Sequence, residues 1–288
     1  MTMRFGHLSG LGQHGFHRIH YTEWGATDNP RVLICVHGLT RNGRDFDTFA
    51  ETMAADYRVI CPDVVGRGCS DWLEDKSQYN YAQYLADMTA LIARSCASQV
   101  DWVGTSMGGL IGMLLAAQPR SPIRHLVVND VGPLIPYSAL QRIAAYVGQA
   151  PDFPDLATAE AYVRKVSAPF GPLTDEQWHH LTLHTMQQRA DGRYAFAYDP
   201  GIAEAFREAS QADVDLWPVW EQLDLPILVI RGAESDVLRH DDAVAMTQRG
   251  PGADLIEFTG VGHAPVLMDS AQITPVRDWL LTKDQDRV

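Results

Sequence analysis

The stretch Val103-Gly104-Thr105-Ser106-Met107-Gly108-Gly109 constrains this chain more than any other. It fits Gly-x-Ser-x-Gly, and its flanks decide what the match is worth. Residues 99–103 are a short apolar segment that reads as a buried strand, and residues 110–117 are an unbroken apolar run long enough for a buried helix. A strand that enters a helix through so tight a turn forces the serine into a strained backbone conformation. Its hydroxyl is thereby lifted above the sheet. Glycines two residues to either side remove the Cβ atoms that would collide there. The helix that follows aims its first amides at the same point, where a developing oxyanion would sit. The plainer alternative is a glycine-rich turn carrying an incidental serine. Deciding between them requires a base, an acid and oxyanion donors elsewhere in the chain.

Around this turn the sequence alternates strand and helix. Residues 17–24 alternate as an exposed antiparallel edge strand does, whereas 32–36, 57–61 and 123–130 are continuous apolar runs, as strands covered on both faces are. Residues 45–55 and 81–95 read as helices, the second with Tyr84, Leu85, Met88, Leu91 and Ile92 at helical spacing. From 134 to about 216 the rhythm breaks. No convincing strand is found there, only amphipathic helical stretches near 137–148, 155–166, 174–188 and 201–212, separated by prolines such as Pro151, Pro169 and Pro200. The sheet resumes at 226–231, followed by a helix near 241–249, a last strand at 254–258 and a closing helix at 273–282. This order predicts an α/β protein with a mostly parallel, doubly covered sheet and a helical cap inserted after the sixth strand. Residues 1–133 and 217–288 form the expected core and 134–216 the expected cap.

A length of 288 residues suits one such domain with an insertion. The net charge of −13 argues against nucleic acid or an anionic membrane as partner, since phosphate binding needs a basic surface. Cys35, Cys61, Cys69 and Cys96 are not spaced as a zinc set and read as reduced thiols of an intracellular protein. The first residues lack the apolar region of a signal peptide, and no apolar run reaches spanning length, so the expected place is the cytoplasm. Gly66-Arg67-Gly68 lacks the Gly-Lys-Ser/Thr ending of a phosphate loop and reads as turn geometry. No metal and no cofactor is expected, and the sequence leaves monomer or homo-oligomer open.

Serine needs a base to act as a nucleophile at neutral pH. His263 sits in the tight loop Gly260-Val261-Gly262-His263-Ala264-Pro265 after the last strand, from where it can reach a site above the sheet. Asp236, in the loop after the preceding strand, is the expected acid that orients the imidazole. Ser106, Asp236, His263 is also a known chain order for such triads. Glu234 is an alternative acid in the same loop. Asp130, after the strand that follows the elbow, is another.

Four landmarks occur in order: His37-Gly38, the elbow at 104–108, Ser235-Asp236 and Gly262-His263. On these the chain resembles the α/β-hydrolase superfamily, in its capped serine esterase and lactonase type, over nearly its whole length. The resemblance implies an oxyanion hole from the backbone amides of Leu39 and Met107, with His37 holding the loop rather than acting as a base. Serine at the elbow, where halide-displacing and epoxide-opening relatives carry aspartate, implies acyl chemistry on a small-molecule ester through an acyl-enzyme. Thioesters, lactones and vinylogous C–C bonds are alternatives, as is perhydrolase or lyase chemistry at the same triad. A purely ligand-binding role is disfavoured, because no triad member is missing. Arg41 and Arg44, just beyond Leu39, are positioned to hold a substrate carboxylate, which would suit short hydroxyacid oligomers or monoesters of diacids. The alternative is that both pair with Asp45, Asp47 or Asp63 and fix the loop.

Overall fold

The apolar runs assemble into one eight-stranded sheet. The computed structural model describes residues 2–207 and 212–285. Its first six strands are β1 (Arg4–Gly12), β2 (Gly15–Trp24), β3 (Val32–Val36), β4 (Arg58–Pro62), β5 (Val100–Thr105) and β6 (Ile123–Asn129). Five short strands follow: β7 (Leu134–Ile135), β8 (Asp152–Phe153), β9 (Met186–Gln188), β10 (Tyr194–Phe196) and β11 (Val214–Asp215). The sheet is completed by β12 (Ile227–Gly232) and β13 (Asp254–Phe258), in the order β1-β2-β4-β3-β5-β6-β12-β13. From β4 to β13 neighbours run parallel, while β1, β2 and β4 pair antiparallel. This is an α/β-hydrolase fold.

Both faces are covered, which is why the central strands are apolar throughout. On one face lie α2 (Tyr81–Ser95) and α3 (Met107–Ala116), burying Met88, Leu91, Leu110 and Ile111 against Ile34, Trp102 and Val128. On the other, α1 (Asp47–Met53) brings Phe49 and Met53 against Leu33, Val103 and Leu228. Asn80 starts α2 by accepting the Gln83 N–H, and Cys96 ends it in a left-handed conformation.

The insertion between β6 and β12 carries α4 (Tyr137–Tyr146), α5 (Leu156–Val166), α6 (Asp175–Thr185) and α7 (Glu204–Arg207). Then come α8 (Trp217–Trp220), α9 (His240–Gln248) and α10 (Ser270–Gln285), the last packing Ile273, Val276 and Leu280 on the α1 face. Short strands are present where only helices were expected, in the arrangements β8-β10-β9 and β11-β7. Two or three residues are too few to leave a periodic signature. The fourth expected helix is a 3-10 turn over Pro200–Ala203 continuing into α7; residues 208–211 of that stretch lie outside the described residues. Strand β1 is also absent from the sequence reading, because Gly6, Gly10 and Gly12 dilute its alternation. Gly6 is needed there: a Cβ would stand 2.3 Å from the Tyr21 ring.

Several contacts seat the insertion on the sheet. The Leu216 N–H donates to the Pro133 carbonyl at 2.6 Å, closing its neck. Gly262, next to His263, donates to the Pro169 carbonyl at 2.6 Å. Asn42 donates to the His184 carbonyl at 2.7 Å. Among the described residues no helix is long and apolar enough to cross a membrane.

Candidate active site

Ser106 stands between β5 and α3 with φ 52° and ψ −115°, a conformation that L residues rarely adopt. Two glycines make it attainable. A Cβ on Gly104 would lie 2.2 Å from the Gly108 carbonyl oxygen, and one on Gly108 would lie 2.0 Å from that of Val36. The turn is therefore closed by backbone against backbone, held by Ser106 N–H donating to the Asn129 carbonyl at 2.8 Å. The hydroxyl is left facing a cavity of about 490 Å³ between the sheet's strand ends and the insertion. That volume is in the range of small-molecule sites.

His263 reaches this hydroxyl from the loop after β13, with Nε2 3.0 Å from Ser106 Oγ. On its other side Nδ1 is 2.7 Å from Asp130 Oδ2. The carboxylate is fully buried and the imidazole nearly so. Asp130 directly follows β6 and is itself at φ 58°. Its Oδ1 accepts the Gly232 N–H at 2.8 Å, and its Oδ2 also accepts the Ser235 hydroxyl at 2.7 Å. These contacts fix the carboxylate's direction, and with it the imidazole's tautomer and tilt.

The expected acid is therefore corrected. Asp236 makes no contact with His263; it is half exposed and grips Arg142 of α4 at 2.5 and 2.9 Å. The loop in which it lies does serve the site, through the neighbouring Ser235. Glu234 is exposed and accepts the Gly260 N–H. Asp130, the alternative at the end of the preceding strand, stands where the imidazole needs a carboxylate.

Leu39 lines the cavity, and Met107 directly follows Ser106 as the first residue of α3. Neither N–H has a protein acceptor among the described residues, and the first amide of a helix has no intrahelical one. His37 is buried behind this loop. Its Nε2 accepts the Val64 N–H at 2.9 Å and its Nδ1 lies 2.7 Å from the Gly38 carbonyl. Only the neutral ring satisfies both, and burial lowers its pKa to about 4. Both bonds are to backbone groups of the neighbouring loops.

The two arginines are occupied. Arg41 lines the cavity but is clamped to Asp45 through two bonds of 2.7 and 2.6 Å. Arg44, also expected to hold substrate, is paired with Asp47 and is not among the residues that line the cavity. The cations that sequence reasoning missed are Arg142 and Lys165, which line the cavity from α4 and α5. Nothing short of the tertiary structure places them there.

Two trios come together where no metal set was legible: His20, Asp63 and Cys69, and Asp47, His180 and His184. In each the carboxylate is already engaged. Asp63 accepts from Gly43, Cys69 and His20, and Asp47 from Arg44.

The match to the family model for the alpha/beta hydrolase fold covers residues 31–269. The chain belongs to this family. Among curated proteins it is similar to a 3-hydroxybutyrate-oligomer hydrolase of Cupriavidus necator, 46% identical over 94% of this chain and 95% of that one. Among solved structures it is similar to a Rickettsia typhi protein, with TM-score 0.91 and 33% identity over 98% of this chain and 99% of that one. An alpha/beta hydrolase from Novosphingobium aromaticivorans superimposes with TM-score 0.86 and 37% identity, over 97% and 99%.

Proposed function

We propose that this chain is a serine ester hydrolase that cleaves short hydroxyacid oligomers or related esters bearing a free carboxylate, through an acyl-enzyme. The observation that carries the reading is the continuous chain Ser106 Oγ, His263, Asp130 at the cavity. In this reading His263 Nε2 takes the Ser106 proton as Oγ adds to the ester carbonyl. The oxyanion is received by the Leu39 and Met107 amides. Collapse expels the alkoxide, which takes the proton back from His263, and water then repeats the sequence on the acyl-enzyme. Asp130 holds the imidazolium throughout.

The substrate class rests on the Cupriavidus necator relative and on the cavity's charge. In a chain of net charge −13, the described lining carries Arg41, Arg142 and Lys165 against the single carboxylate Asp45. Arg41 and Arg142 are held by Asp45 and Asp236, whereas Lys165 has no carboxylate partner among the described residues. A site of this sign favours an anionic ligand. In the same reading residues 134–216 are the cap that closes the cavity over the core of 1–133 and 217–288. Four unpaired thiols suit a reducing compartment, so the proposal places the enzyme in the cytoplasm.

The test uses a hydroxybutyrate trimer, as free acid and as methyl ester, with wild type and Ser106→Ala. The wild type should hydrolyse both and prefer the free acid. Ser106→Ala should lose at least about a thousandfold in turnover, and a serine-directed phosphonate should label Ser106 alone. An active alanine variant, or label elsewhere, removes the nucleophile; a wild type indifferent to the cap removes the carboxylate.

A further inference from the structure

A buried guanidinium contacts both Leu39 and Met107. Arg67 comes from the turn after β4 and has no solvent exposure. Its Nε–H donates to the Leu39 carbonyl at 2.8 Å. One terminal nitrogen donates to the Val65 carbonyl at 2.7 Å and to the Tyr84 hydroxyl at 3.1 Å, and the other lies 3.8 Å from Met107 Sδ. The rings of Tyr84 and Tyr79 flank it, with centroids 5.1 and 5.7 Å from the guanidinium carbon. Among the described residues no carboxylate lies within ion-pair distance, so all its partners are neutral.

The local sequence exists to turn this side chain inward. Gly66 at φ +84° and Gly68 at φ +55° occupy the left-handed region, where side chains are strained. A Cβ would also meet the Tyr79 ring at 2.5 Å in one case and the Asp63 carboxyl at 2.4 Å in the other. Insertion residues complete the clamp, the Gly68 N–H donating to the Ala197 carbonyl at 2.7 Å. Burying a charge among neutral partners is unfavourable.

We infer that Arg67 is a positioning residue for the oxyanion hole, an inference that rests on the ester-hydrolase reading above. It pins Leu39 by its carbonyl, leaving the Leu39 N–H to the cavity, and braces Met107 through its thioether. Its fixed charge, buried in the low-dielectric interior, also favours the oxyanion. The electron balance is that of ester addition. Ser106 Oγ bonds the carbonyl carbon, its proton passes to His263 Nε2, and the carbonyl π pair becomes a lone pair on the oxyanion. Arg67 exchanges no proton.

The experiment compares wild type, Arg67→Met and Arg67→Lys on one short-chain ester, with Ser106→Ala alongside. A trifluoromethyl ketone analogue, which adds the serine to give a tetrahedral oxyanion, reports on the hole directly. In Arg67→Met, kcat should fall about a hundredfold with KM within threefold, and the inhibition constant of the ketone should rise by the same factor. Arg67→Lys, keeping charge but losing the fork, should show a smaller parallel change of about tenfold. Melting curves establish that each variant is folded; if the methionine variant is not, the lysine variant decides alone. Folded variants with kcat within threefold of wild type overturn the inference. So does a fall in kcat without a matching change in ketone affinity, which marks a merely structural arginine. An active Ser106→Ala overturns the ester reading and the inference with it. An inactive Ser106→Ala beside fully active Arg67 variants removes the inference alone.

Discussion

Asp130 is bonded by a backbone N–H, a serine hydroxyl and the His263 ring, and Asp236 by an exposed arginine. The two carboxylates therefore separate in kinetics. Asp130→Asn should lower kcat by about three to four orders of magnitude, since the imidazole loses the partner that sets its tautomer. Asp236→Asn should leave kcat within about threefold. Steady-state rates of the two variants on one ester check this, and the opposite ranking would return the acid to the later loop. Ser106 and His263, the proposed nucleophile and base, were legible because each sits in a glycine-bracketed turn at a strand end, a pattern that short-range sequence carries. The acid was not. Both aspartates follow a buried strand, and what separates them is the parallel register of β6 on β12, which pairs Asn129 with Ile230 and sets Asp130 beside Gly232. Lys165 and Arg142 were invisible for a related reason, since an amphipathic helix does not reveal which cations on its rim will face a cavity.

The unit β5–Ser106–α3 depends on backbone approaching backbone, with Trp102 donating to the Gly108 carbonyl at 3.0 Å beneath it. Gly104→Ala would place a methyl 2.2 Å from one carbonyl oxygen, with no flexible side chain to yield. Destabilisation of about 3 kcal/mol or more is expected, at or beyond the upper end for an overpacked site. Gly38→Ala is the contrast: its Cβ would meet Ser106 Cβ at 3.6 Å, ordinary contact, and stability should change by less than about 1 kcal/mol. Urea unfolding of both variants measures the difference, and equal midpoints would contradict the close approach. The sheet and its covering helices were readable from apolar periodicity. The insertion's small sheets were not, because β8, β9 and β10, at two or three residues each, do not repeat the two-residue strand alternation even twice.

For the whole molecule, two histidines link stability to pH. Burial lowers His37 to about 4, and burial with the Arg44 and His180 charges lowers His184 to about 4. The unfolded chain takes up these protons near pH 6.5 while the folded one resists until about 4. Stability is therefore full above pH 6.5 and falls as pH drops toward 4, by up to about 3 kcal/mol for fully buried His37 and by less for His184. Urea midpoints at pH 7, 5.5 and 4.5 should fall in that order; a flat profile would mean that neither ring is held neutral. The separation of Ser106 from its base along the chain has a further consequence, for biosynthesis. The serine precedes His263 by 157 residues, an interval of roughly ten to thirty seconds at ordinary elongation rates. A nascent chain, or one cut short before the last strand, thus carries the elbow serine without its proposed base. In that reading reactivity is withheld by the order of synthesis itself, and the ribosome releases the proposed base only after all eight strands of the sheet.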